Sequence, residues 1–478
     1  MLLQFVNDPT IGPKERRLIR SHVMRGKNAG KSRIPRKPLV HRDFKIPILN
    51  PQERFDDGDS EIKHIIYPHQ PLWNELSLTS YPYHIGPEKE RFVYQRLWII
   101  AKALYPPEFC TEVNLSQNAW FRYVFEDAAY FHSLLAICCS FITHFGGPRH
   151  ISSDALRHIS QAYRMTNERL SGSKACSDQA IAVVTMLAIY QRMHHQQSIG
   201  LVHFQGLQRM VQLRGGLAKL ASDNRALAQK PWRLALEFAL QNGALVSFSL
   251  DDVEGSTQST GFKSFDAILD EQKHKLGWRT MTYPVFAIDP VLLKHLSSIN
   301  HFTNLLNATT DKTKLEPFDY SDAVCFILHQ LITYAPLNPL HRHHIPPLDN
   351  LIHWALLAVM TTLLPEYGHN QARYDFLANQ LRGALQAMHA PETTEEQEVL
   401  LWALFVAYAT ILDNAEDETM LTKMAVEAFK TLKLHEWDDL KTALCRFAWI
   451  YVFYDKAGLR LLSEVREQSP IDTLGAST

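Results

Sequence analysis

An all-α fold, a large multi-helix array behind an extended basic N-terminal arm, is predicted by three features of this 478-residue chain. From about Glu88 onward the apolar residues recur every three or four positions, the spacing of one face of a helix. No alternating apolar–polar run is long enough to demand a strand. Gly and Pro number only 20 and 24, which argues against a turn-rich sandwich, collagen or low complexity, while 46% apolar residues suffice for a large core.

Taken in order, Gly12-Pro13 can open a helix with proline at its first position, running to about Arg25 and stopping at Gly26. Pro35, Pro38, Pro47 and Pro51 then predict an extended strap, and Pro68, Pro71 and Pro82 an irregular linker to about residue 85. Phe92, Leu97, Ile100, Ala101 and Leu104 form a helical stripe ended by Pro106-Pro107. Residues 118–145 are apolar nearly all round, which predicts one central helix covered on every side and closed by Gly146-Gly147-Pro148. Ser153-Asp154 and Ser177-Asp178 cap helices reaching Leu170 and about Met193. The next helix, 198–213, ends at Gly215-Gly216.

Further helices are expected near 229–249, 287–308, 317–334, 348–364, 371–389, 394–412, 417–432 and 436–464, and a polar surface loop over 251–280. The organisation that follows is a basic arm (1–45), a proline-containing linker (46–85), a helical domain (86–468) and a short tail (469–478).

Charge separates the arm from the rest. Residues 14–45 hold twelve Lys or Arg against Glu15 and Asp43, a net +10, which leaves −11 for the rest of a chain whose total is −1. Such an arm suits a polyanion or an import carrier. The residues expected to make nucleic-acid or import contacts are Arg16, Arg17, Arg20, Arg25, Lys27, Lys31, Arg33, Arg36 and Lys37. A solvated tail without a partner is the competing reading. The stretch Arg33-Ile34-Pro35-Arg36-Lys37-Pro38 loosely resembles a strap that lays arginine into a narrow minor groove.

Several chemistries find no support. Gly26-Lys27-Asn28-Ala29-Gly30-Lys31-Ser32 nearly spells a P-loop, but it has three residues between its glycines where four are needed, and no strand precedes it. The amino terminus, MLLQFVNDP, reaches Asp8 and Pro9 before an apolar core can form, so no secretory signal is expected. The longest apolar runs, Leu351–Leu364 and Val399–Leu412, fall short of the ~20 residues that span a bilayer, so no membrane partner is expected. Cys110, Cys138, Cys139, Cys176, Cys325 and Cys445 include no C-x-x-C pair, so neither disulfides, a metal nor a cofactor is expected. His341, His343, His344, His194 and His195 read as surface residues, and His203 as a satisfied core or interface histidine. No nucleophile–base or metal-ligand motif appears, so no enzyme is expected.

A resemblance sharpens this picture. DAAYFHSLLAICCSF (127–141), the paired helices of 155–191 with their Ser-Asp start, and VHFQGLQRMVQLRGGLAKL (202–220) occur in order. LLWALFVAYA (400–409) and LHEWDDLKTALCRFAWIYVFYDKAG (434–458) follow. Together they resemble the fungal-specific transcription factor domain, the helical regulatory region that usually follows a zinc cluster. FVNDP and IRSHVMRG look like the start of members without that cluster. Two positions depart from the pattern: Arg233 replaces an acidic residue beside Trp232, and Leu462 a common Trp.

A zinc cluster needs six cysteines in two C-x2-C-x6-C halves, and no cysteine precedes Cys110. DNA binding is therefore not carried over from the family and falls to the arm. The resemblance implies a nuclear regulator with protein partners or a homodimer, and leaves a small-molecule effector unassigned. The alternative is a helical co-regulator or effector sensor that touches no DNA.

Overall fold

Every regular element in the computed structural model is a helix among the described residues, which are 87–113, 119–145, 153–254, 261–276, 288–338, 340–364, 374–388, 391, 393–434 and 436–468. The first nine helices are α1 (Pro87–Leu104), α2 (Ala119–Glu126), α3 (Ala128–Phe145), α4 (Ser153–Leu170), α5 (Asp178–Met193), α6 (Gln197–Leu213), α7 (Leu217–Asp223), α8 (Arg225–Asn242) and α9 (Leu250–Glu254). The others are α10 (Phe265–Leu276), α11 (Pro290–Asn307), α12 (Pro317–Tyr334), α13 (Pro347–Thr361), α14 (Asp375–Ala387), α15 (Thr394–Thr410), α16 (Ala415–Leu432), α17 (Trp437–Leu444) and α18 (Tyr451–Gln468). A lone parallel bridge, Cys110 with Leu315, ties the segment after α1 to the start of α12.

Five helices buried on nearly all sides make the spine. Helices α5, α8, α12, α13 and α15 touch one another in that order, α5 on α8, α8 on α12, α12 on α13 and α13 on α15. Their sequences explain the placement: Ala180–Arg192, Leu351–Thr361 and Val399–Ala407 are buried without a break, so no face is left for water. Amphipathic helices cover this spine, among them α4 and α6 on α5, and α16 and α18 on α15.

The ends of these helices follow their cap residues. Ser177 accepts a hydrogen bond from the Ala180 N–H at 3.2 Å, and Asn224 accepts one from the Leu227 N–H at 3.1 Å. Thr393 and Glu396 form a reciprocal capping box at α15. Pro290, Pro317 and Pro347 each stand in the first turn, where a missing N–H is harmless.

The predicted elements differ from the structure in several places, among them the helix expected near 229–249, which stops at Asn242 where Gly243 takes a left-handed φ of +61°. The helix expected over 118–145 is interrupted at Asp127, whose Oδ1 accepts the Tyr130 N–H at 2.8 Å and so starts α3 as a new helix. The helix expected over 436–464 is broken between α17 and α18. There side chains take the carbonyls, Trp402 Nε1 donating to Ala448 at 2.9 Å and Asn307 Nδ2 to Trp449 at 2.7 Å. The loop expected over 251–280 contains α10, with Phe265, Ile268 and Leu269 buried toward α12. The arm helix, the strap, the linker and the tail lie outside the described residues.

Candidate functional site

Lys27, Lys31, Lys37 and the six arginines expected to contact nucleic acid or an import carrier, and the near P-loop, all precede residue 87 and lie outside the described residues. The histidines can be placed. His341, His343 and His344 are exposed, as read from the sequence. His194 is not a surface residue: it is half-buried, its Nε2 lies 2.9 Å from Ser140 Oγ, and its ring packs on Tyr190. His203 is the satisfied histidine expected, 3.3 Å from Tyr163 Oη and stacked on that ring. Burial holds its imidazole below the usual value.

Two of the resembling segments meet in space. Arg214, at the end of α6, donates to Asp178 Oδ1 at 2.8 Å and to the Cys176 carbonyl at 2.9 Å, while Asn224 Nδ2 donates to Asp178 Oδ2 at 3.1 Å. The Ser-Asp start of α5 is therefore locked to the Arg-Gly-Gly end of α6. Gly215 and Gly216 have φ of +96° and +94°, which side-chain-bearing residues rarely adopt, and they let the chain reverse at once into α7.

The main electrostatic feature went unseen in the sequence. Gln229, Arg233, Glu237 and Gln241 fall every four residues along α8, a stripe that ordinarily faces water. Here all four are buried. Arg192 on α5 donates to Glu237 Oε2 at 2.6 Å and to Tyr374 Oη at 3.3 Å, and Arg233 Nε lies 3.3 Å from Glu237 Oε1. The arginine that departs from the family pattern is thus one third of a buried Arg–Glu–Arg triad. The spacing of four could have flagged it, had the apolar neighbours on both sides of each member been weighed.

At the other end of the stripe, Gln229 Nε2 donates to Asp322 Oδ1 at 2.5 Å. Asp322, fully buried on α12, also accepts from Arg225 Nε at 3.0 Å, Arg225 Nη2 at 2.7 Å and the Lys263 N–H at 2.8 Å. Burial pushes its carboxyl up to about 6 against the pull of Arg225, the Lys263 N–H and Gln229. An unfolded aspartate titrates near ~3.9, so between those values the folded chain holds a proton that the unfolded chain lacks. This contribution is present in full below pH ~4 and is lost as pH rises toward about 6, on the order of 3 kcal/mol in all. The wild-type chain should accordingly lose stability relative to Asp322→Asn between pH 4 and pH 7, read as the difference in urea midpoints. A pH-independent difference would remove Asp322 as the titrating group.

Two hollows open among the described residues. The larger, about 660 Å³, is lined by Asp289, Asp349, Glu396, Tyr334 and Met388 among others. Its acids serve the helix ends: Asp289 Oδ1 accepts the Val291 and Leu292 N–H groups, and Asp349 Oδ2 accepts the Asp289 N–H. The smaller, about 70 Å³, lies among α1, α2, α3, α5 and α8, and its wall is apolar and aromatic except for Lys230. The six cysteines are free thiols. Among the described residues no three His, Cys, Asp or Glu side chains gather to hold a metal ion, and no helix is long and apolar enough to cross a membrane.

No curated protein matches the chain significantly, and no solved structure does. A family model described as the fungal-specific transcription factor domain matches residues 107–435. The match takes in the locked pair α5–α6, the buried triad and the whole spine, and stops short of α17 and α18. With well over half of its length covered, the chain belongs to the fungal-specific transcription factor domain family.

Proposed function

We propose that this chain is a nuclear transcription regulator with divided tasks. Residues 14–45 supply charge-driven contact with nucleic acid, and the helical domain, 86–468, supplies interaction with protein partners or a second copy of itself. Membership of the family supports a role in transcription regulation. The observation that carries the division is the charge: +10 within 32 residues, against −11 for the remainder. Helices buried in a continuous spine suit a scaffold for recognition, and the acids of the larger hollow are engaged in capping.

The test is a salt titration of duplex DNA binding with the full chain and with residues 1–45 removed. About six phosphate contacts give a fall of log K with log salt of slope near −5, so binding should drop roughly a thousandfold between 50 and 200 mM salt. Truncation should abolish that affinity. Undiminished binding by the truncated chain removes the arm from the account. A full chain found in the nucleus yet lacking salt-dependent DNA affinity favours the co-regulator reading, with the arm serving import alone.

A further inference from the structure

Three carboxylates and no lysine or arginine line the larger hollow, whose volume of about 660 Å³ lies within the roughly 300–1,000 Å³ of clefts that enclose small ligands. Asp289 stands at the N-cap of α11, Asp349 in the first turn of α13 and Glu396 in that of α15. Capping uses an oxygen of each without cancelling its charge. Asp289 Oδ1 takes the N–H groups of Val291 and Leu292, and Glu396 Oε2 that of Thr393 at 3.3 Å. Asp349 is 4% exposed. Its Oδ2 takes the Asp289 N–H at 3.0 Å, while its Oδ1 has no hydrogen-bond partner, and the side chain no ion pair, among the described residues. The guanidinium of Arg342, the residue before His343, is engaged elsewhere, 4.2 Å over the Trp354 ring and donating to Asn350 Oδ1 at 2.8 Å. Burial, with the like charge of Asp289 behind it, pushes the Asp349 carboxyl up against the pull of the Asp289 N–H.

A buried carboxylate is costly to the folded chain unless a cation answers it. Among the described residues no three His, Cys, Asp or Glu side chains come close enough together to hold a metal ion, so one compact ion would not gather these acids. The answering charge has to be spread along a body that reaches from one carboxylate to the next. Much of the remaining wall suits such a body. Ile345, Leu348 and Met388 offer apolar surface to methylene groups, and Tyr334 offers a ring to an ammonium.

We propose that the hollow framed by the starts of α11, α13 and α15 is a ligand site for a linear aliphatic polyamine, its ammonium groups on Asp349, Asp289 and Glu396 and its methylene chain against Leu348 and Met388. The site belongs to the helical domain and stands whether or not the arm contacts DNA, so the two readings fail separately.

The experiment titrates the full chain with spermidine by calorimetry at about 150 mM salt, where exposed charges are largely screened. Two comparisons separate charge from chain: 1,4-butanediol has a chain without charge, and Mg²⁺ has charge without a chain. Spermidine should bind one to one and at least tenfold more tightly than either. Asp349→Asn, whose amide oxygen can still take the Asp289 N–H, should lose at least tenfold in spermidine affinity and unfold no earlier than wild type when no ligand is present. Glu396→Gln, which keeps the capping box, should lose at least threefold. Asp311→Asn removes an exposed charge beyond the opposite end of α11 and should leave the affinity unchanged. Equal affinity for spermidine and Mg²⁺ overturns the proposal, as does full affinity in Asp349→Asn or an equal loss in Asp311→Asn. An absence of spermidine binding overturns it too, and binding of an oligolysine peptide in its place would make the hollow a peptide groove.

Discussion

Glu237→Ala should destabilise the helical domain by about 3–5 kcal/mol, seen as a fall in urea midpoint at an unchanged slope. The reasoning begins with burial. The side chains of Arg192, Arg233 and Glu237 are 5%, 8% and 2% exposed, so one carboxylate faces two guanidinium groups away from bulk water. Deleting that carboxylate leaves two like charges facing each other in a low-dielectric seam. It also removes the carboxylate that Arg192 meets at 2.6 Å, while its donation to Tyr374 Oη at 3.3 Å stays.

A companion variant separates the net worth of the triad from the penalty of breaking it. Arg192→Met, Glu237→Leu and Arg233→Met together should be neutral or stabilising by about 1–4 kcal/mol, because well-packed apolar groups need no desolvation. A loss below about 1 kcal/mol for Glu237→Ala would show that water reaches the triad.

Trp402→Ala should cost a similar amount, about 3–5 kcal/mol. Trp402 is fully buried on α15, its ring stacks on Phe447 with centroids 5.3 Å apart, and its Nε1–H donates to the Ala448 carbonyl at 2.9 Å. Alanine would leave a cavity between α15 and the segment that follows α17, and strip that carbonyl of its donor. Trp402→Phe keeps most of the apolar area and loses only the hydrogen bond, so it should cost about 1–3 kcal/mol. Chemical denaturation of both variants checks the order. Equal losses would mean that the bond, rather than the volume, holds the break between α17 and α18 in place.

That break shows where sequence reading reached its limit. The helical class, the all-round burial of Val399–Ala407 and the cap at Ser177 follow from periodicity and local chemistry, which a single chain displays openly. The interruption at 445–450 depends on donors from α11 and α15, far away in sequence, and nothing local announces it. Helix α10 was concealed differently: Phe265, Ile268 and Leu269 keep helical spacing, but the polar residues around them mask so short a stripe. The triad and Lys230 were concealed by charge itself, since Arg, Glu and Lys on a helix ordinarily mark its wet face. The twelve cations of the arm were legible as a charge run, while their contacts depend on a partner.

Helix α8 carries the lysine of the smaller cavity and two members of the triad, with Lys230 and Arg233 a single turn apart. Positive charge at either position opposes positive charge at the other. Whatever relieves the charge at one of these positions therefore relieves the other, along the backbone of a single helix.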